Sequence, residues 1–155
     1  MQIGLLNGHY KISSNFGNRK SPTSGASSFH TGIDIPAPEG TKLVCVMDGT
    51  VAATGWGGAN GFTITIKSDD GKYRFSYCHC SPEFIVSPGK KVKKGEVIGK
   101  VGPKYVYGVT NNPYKDSSGK PTNGATTGCH CHFSIQKDGE YIDPLKVVKK
   151  KEDYI

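Results

Sequence analysis

Apolar and polar positions alternate in short runs along most of this chain, and glycine and aspartate cut the runs apart. Segments 41–47, 50–54, 61–67 and 72–80 are apolar or alternating, with Asp48-Gly49, Gly57-Gly58 and Asp69-Asp70-Gly71 between them. Runs of that length bounded by such turn residues predict strands and hairpins. Over 62–67 a period of two puts Phe62, Ile64 and Ile66 on one face and Thr63, Thr65 and Lys67 on the other, which predicts a half-buried strand. The same period over 129–137 gathers His130, His132, Ser134 and Gln136 on one face and Cys129, Cys131, Phe133 and Ile135 on the other. Segment 89–102 offers two brief apolar arms around Gly95 that suit antiparallel hairpins. No window carries an apolar stripe of helical period. The pattern predicts an all-β fold of mainly antiparallel sheets.

Three stretches depart from this texture. Residues 1–28 are rich in serine, glycine and asparagine and read as an irregular leader, and 149–155, basic then acidic, are expected to fray. Residues 103–124 carry Asn111-Asn112-Pro113 and Asp116-Ser117-Ser118-Gly119 over a length unusual for a plain connection. Long loops in compact domains are functional or disordered. Because this one runs into Gly128-Cys129-His130, it is expected to border the site. With 155 residues the chain is expected to form one domain, long enough to bury a core without metal or disulfides being obligatory. Twenty-one glycines and nine prolines agree with many tight turns.

The formal charge of +7 implies a general attraction to anionic polymers. Nucleic acid is set aside as a partner, since no helix-turn-helix, RNP-like or paired CxxC pattern accompanies the charge. A bacterial wall suits it equally. No stretch reaches the ~18 to 20 apolar residues of a membrane span, so no membrane insertion is expected. The first residues lack a basic region and a continuous apolar one, so no secretory signal is expected; either an export segment lies outside this chain or the protein leaves the cell by another route.

The five cysteines, Cys45, Cys78, Cys80, Cys129 and Cys131, are odd in number, so one at least is unpaired in a monomer. Free thiols suit a chain made in a reducing compartment, as a phage or prophage component would be. The pairs Cys78-x-Cys80 and Cys129-x-Cys131 allow a four-thiolate zinc site, disulfides or buried apolar positions. The last is favoured, since Cys129 and Cys131 share a face with Phe133 and Ile135.

The candidate chemistry lies in His30-Thr31-Gly32-Ile33-Asp34 and His130-Cys131-His132. Catalytic zinc takes three protein ligands and leaves a fourth position for water. His30, Asp34 and His132 can fill those three places. His79 follows the aromatic run Tyr73, Phe75, Tyr77 on the same predicted strand face, and a cleft floored by aromatic rings with His79 at its rim suits a peptide-like substrate. His9 has no such support and reads as an exposed loop histidine.

His30-x-x-x-Asp34, Tyr77-x-His79-x-Ser81 and Thr127-Gly128-x-His130-x-His132-Phe133 resemble the three signatures of the lysostaphin-like zinc endopeptidases that cut peptidoglycan cross-bridges. Ser13-Ser14-x-Phe16-Gly17-x-Arg19, Gly40-Thr41, Asp48-Gly49-Thr50-Val51, Val92-x-x-Gly95-x-x-Ile98-Gly99 and Asp143-Pro144-Leu145 follow in that family's order, so the likeness covers most of the chain. It implies the lysostaphin-like peptidase domain, of the duplicated hybrid motif type. It also implies one zinc ion held by His30, Asp34 and His132, with His130 as general base toward the attacking water. His79 would be a second catalytic histidine that hydrogen-bonds the water or the tetrahedral oxyanion, and Tyr77 would help shape the groove. The implied partner is bacterial peptidoglycan, cut in its stem peptides or cross-bridges at the cell wall by a secreted enzyme, a larger hydrolase or a phage tail component. The alternative is a catalytically silent wall-binding or scaffold module of the same fold, and such members typically lose ligands. The chain departs from the family in having Cys80 and Cys131 where an aliphatic residue is usual, and in a longer stretch between Gly102 and Gly124.

Overall fold

The computed structural model describes residues 11–18 and 29–148. His9, the expected tail at 149–155 and most of the expected leader lie outside the described residues.

The regular structure is β1 (Gly17–Asn18), β2 (Phe29–His30), β3 (Gly32–Pro36), β4 (Lys42–Val44), β5 (Gly49–Trp56), β6 (Phe62–Ser68), β7 (Tyr73–Cys78), β8 (Lys91–Val92), β9 (Val97–Lys100), β10 (His130–Lys137) and β11 (Glu140–Ile142), with two single-turn 3-10 segments. The main sheet runs β11-β10-β7-β6-β5-β8, and β3 shares an edge of β10 with β11. Every pairing in it is antiparallel. β4 and β9 form a separate two-stranded sheet, and β1 pairs with β2.

Alternation decides what each strand buries. On β10, Cys131, Phe133 and Ile135 face inward, and across the register Phe133 meets Tyr77 and Ile33 while Ile135 meets Phe75. Directly opposed residues of an antiparallel pair point to the same face. Phe75, Tyr77 and Phe133 therefore stack into one aromatic cluster, with ring centroids 5.0 to 6.2 Å apart. Ile64 and Ile66 of β6 and Leu43 and Ile98 of the small sheet complete the core.

The structure differs from the sequence expectations at four places. Tyr77 does not shape a groove: it is fully buried, and its hydroxyl donates to the Val44 carbonyl at 2.9 Å and accepts from the Val46 N–H at 3.2 Å. The small sheet covers that face of β7, and periodicity within one strand carries no information about a cover supplied from elsewhere. The two arms of 89–102 do not pair with each other, because β8 joins β5 and β9 joins β4. Residues 13–18 are not irregular, since the Ser13 N–H donates to the Asp34 carbonyl, the Asp34 N–H donates to the Ser14 carbonyl, and Gly17 pairs with His30. Finally, Cys78 lies opposite His132, so its side chain and that of Cys131 leave the sheet on opposite faces, against the four-thiolate alternative.

Candidate active site

Two segments far apart in sequence meet because β3 pairs with β10. In that register His132 lies directly across from Asp34, so both side chains leave the sheet on the same side, opposite to Ile33 and Phe133. Gly32 permits the approach: a Cβ there would sit 2.1 Å from the Phe133 carbonyl oxygen. The glycine inside His30-Thr31-Gly32-Ile33-Asp34 is thus set by backbone proximity to β10. His30, ending β2, then swings its ring onto the same face.

His30 Nε2 lies 3.1 Å from Asp34 Oδ1 and 2.9 Å from His132 Nδ1, and His132 Nδ1 lies 2.9 Å from the same carboxylate oxygen. Among the described residues this is the one group of three or more histidine, cysteine or acidic side chains whose ligand atoms converge. The paired CxC motifs therefore assemble no four-thiolate centre there. All five cysteines are free thiols, four of them buried.

The proton positions follow from the partners. His30 Nδ1 lies 2.9 Å from the Asn15 carbonyl and 3.1 Å from Ser14 Oγ. A carbonyl can only accept, so Nδ1 carries the proton and Nε2 presents its lone pair to Asp34 and His132. Three possible ligand atoms thus face one point inside a buried corner, the arrangement that a bound cation would fill. Burial alone would raise the Asp34 carboxyl, but the imidazoles of His130, His132 and His30 around it outweigh burial and hold the group far below the ordinary carboxylate range. Burial also pushes His132 down, against the opposing pull of Asp34, which favours the neutral ring that a metal needs.

Two further histidines flank this group. His130 Nε2 is 3.5 Å from Asp34 Oδ1, and its Nδ1 faces the Gly128 carbonyl at 3.1 Å and Thr126 Oγ1 at 3.2 Å. His79 stacks 4.6 Å from His130 by ring centroids and 6.3 Å from His132. Strand parity would send His79 into the core with Tyr77. Instead β7 stops at Cys78, and His79 adopts φ +58, a left-handed conformation that turns the ring out to the other histidines. Its Nδ1 donates to the Asn123 carbonyl at 2.6 Å, so the 103–124 segment reaches the site through Asn123. Burial and, next, His130 push His79 down to about 3, so it is neutral at physiological pH.

Sequence reasoning singled out all five of these side chains but not Ser14, Asn15, Asn123, Thr126 and Gly128 as groups that orient them. Three of the five contacts go to main-chain carbonyls, which no residue type announces. Ser14 and Gly128 carried a signal, their places in the Ser13-Ser14-x-Phe16-Gly17 and Thr127-Gly128-x-His130 patterns.

The profile of peptidase family M23 matches residues 28–114, more than half of the chain. The chain belongs to peptidase family M23. Curated relatives include the DD-carboxypeptidase/endopeptidase Mpg of Neisseria meningitidis, 32% identical over 137 residues, which are 88% of this chain and 27% of the relative. The peptidoglycan DD-endopeptidase ShyC of Vibrio cholerae is 28% identical, again over 88% of this chain and 27% of the relative. The M23 chain described here thus spans about a quarter of the length of these relatives. Among solved structures, the catalytic domain of the antimicrobial peptidase lysostaphin from Staphylococcus simulans is 25% identical with a TM-score of 0.72, covering 91% of this chain and 93% of that one. The profile match holds His30, Asp34 and His79 but ends before β10. In this M23 chain the long 103–124 segment precedes the strand that carries His130 and His132, and the β3–β10 pairing restores them to the site. Two imidazoles and one carboxylate are the protein donor set of a catalytic zinc site, and zinc is the cofactor of this M23 site.

Proposed function

We propose that this chain is a zinc-dependent endopeptidase that hydrolyses peptide bonds in the stem peptides or cross-bridges of bacterial peptidoglycan. The observation that carries the reading is the meeting of His30, Asp34 and His132 at one point, with two more histidines, His130 and His79, beside it. The names of the endopeptidase relatives support the wall substrate, and the charge of +7 suits an anionic wall.

Zinc, when bound by His30, Asp34 and His132, supplies a Lewis acid that polarises a carbonyl and acidifies water. His130, with Nδ1 donating to the Gly128 carbonyl, keeps Nε2 free to take the proton of the attacking water and to return it to the leaving amine. His79, protonated on Nδ1 toward Asn123, likewise offers a lone pair at Nε2. That tautomer makes it an acceptor that orients the water. It becomes a donor to an oxyanion only after gaining a proton. The free thiols fit delivery by a phage tail or another route that avoids oxidative export.

Purified peptidoglycan sacculi of several defined cross-bridge types are the test. The expected result is release of peptide-cleaved fragments, read by mass spectrometry, that stops on chelation and resumes with zinc. Binding to sacculi without any cleavage in all types would support the silent wall-binding module instead.

A further inference from the structure

One fully buried side chain closes the long excursion that begins at Pro103. Asn123 donates through Nδ2 to the Cys80 carbonyl at 3.0 Å and the Pro103 carbonyl at 3.3 Å, and accepts at Oδ1 from the Phe62 N–H at 2.9 Å. Its own N–H donates to the Lys104 carbonyl at 2.9 Å. Both amide donors and the amide oxygen are therefore used, as burial requires. The groups it grips surround His79: Cys80 follows that residue in sequence, and the Cys80 N–H donates to the Phe62 carbonyl at 2.8 Å. Gly61 makes room for the grip, since a Cβ there would lie 2.3 Å from Asn123 Oδ1 and 2.4 Å from its carbonyl oxygen.

The backbone of His79 is held by its N–H to the Asn60 carbonyl at 2.8 Å and by the Gly102 N–H to its own carbonyl at 3.0 Å. A non-glycine residue at positive φ persists only where its surroundings over-determine it, and such positions cluster at functional sites. What the backbone contacts leave undecided is the ring, and the Asn123 carbonyl at Nδ1 decides it.

We infer that Asn123 is a positioning residue, which anchors the base of the 103–123 segment and dictates that His79 carries its proton on Nδ1 and its lone pair on Nε2. The inference rests on the reading of His79 as the second catalytic histidine. Removing the amide grip frees the carbonyl at 123, and the imidazole then exchanges between tautomers, of which only one can accept a proton from water at Nε2.

Asn123→Asp keeps the size and the acceptor for the Phe62 N–H but sets an oxygen against the carbonyls of Cys80 and Pro103. The zinc-loaded wild type and this variant are compared by ring 15N shifts of His79, by zinc content and by digestion rate over a range of sacculus concentrations. In the wild type a single Nδ1–H form of His79 is expected. In the variant the shifts move toward the exchange average and the maximal rate falls about 10- to 100-fold, while half-saturating wall concentration and zinc content hold. Against a His79→Ala background the same substitution is expected to change the rate less than about twofold, because both act through one group. A wild-type ring protonated on Nε2 overturns the inference, and that spectrum needs no substitution to fold. An equal loss in the His79→Ala background, or loss of zinc, overturns it as well. Full activity of His79→Ala would sink the catalytic reading of His79 and this role with it, whereas inactive His79→Ala beside fully active Asn123→Asp sinks the inference alone.

Discussion

His30 and His132, 102 residues apart in sequence, bring Nε2 and Nδ1 to 2.9 Å of each other, with Asp34 Oδ1 closing the triangle. The Asn15 carbonyl already takes the His30 Nδ1 proton, so His30 meets His132 Nδ1 and Asp34 with the Nε2 lone pair, as a metal ligand must. The consequences are separable by substitution.

Asp34 sits in the donor triangle, whereas His130 stands beside it. Asp34→Ala is expected to leave zinc substoichiometric and abolish wall digestion. His130→Ala should keep the metal and lose at least about a hundredfold in rate. Metal analysis of the purified variants alongside digestion rates checks this, and matching zinc content in both would contradict the division of roles.

Tyr77 belongs to the core, so its removal should be felt in stability rather than in turnover. Tyr77→Phe deletes the hydroxyl that serves the Val44 carbonyl and the Val46 N–H, leaving both without that buried partner. A loss of about 1–3 kcal/mol in urea unfolding is expected, with the digestion rate of the folded fraction preserved. A large drop in rate at unchanged stability would return Tyr77 to the groove.

The thiols differ in reach. Burial pushes Cys45 up to about 11 and Cys78 up to about 12, and holds Cys80 and Cys131 well above the ordinary thiol value. The thiolate is the reactive form, and Cys129 alone of the five is partly exposed. Iodoacetamide at neutral pH should add one label to the native protein, at Cys129, and label all five cysteines after unfolding. Peptide mapping reads the outcome, and native labelling of Cys80 or Cys131 would show that the core is open.

Acid should destabilise the metal-free protein well before carboxylates titrate. Folded His79 titrates at about 3 against an ordinary 6.5, so between those values the unfolded chain binds the extra proton. Stability therefore falls as pH drops below about 6.5, and His132, shifted in the same direction, adds to the slope. Urea midpoints measured from pH 7 to pH 4 should decline, and less steeply in His79→Gln. An equal slope in that variant would remove His79 as a source.

Period-two alternation let the ligand strands be read before any coordinates, because the face a side chain takes within a strand is a local property. His130, Cys131, His132 and Phe133 fall on the sides that the pattern assigns. His79 fails the same rule because one left-handed residue ends the strand, and a histidine in the sequence does not announce a positive φ. Tyr77 was legible as one face of a strand, but not as a covered face, since the cover comes from β4. The arms of 89–102 were legible as strands, while the choice of separate partners depends on which edges are vacant.

What the chain determined by itself was its all-β character, the candidate metal donors and the side of β10 on which two of the histidines lie. Each of these depends on residue type and on spacing within a few positions. Only the tertiary structure decided that β3 lies against β10 with Asp34 opposite His132, that the Asn15 and Asn123 carbonyls choose the tautomers, and that the aromatic face is sealed. Those are relations between segments tens of residues apart, and they follow from which surfaces bury one another, a property of the assembled fold that no local window contains.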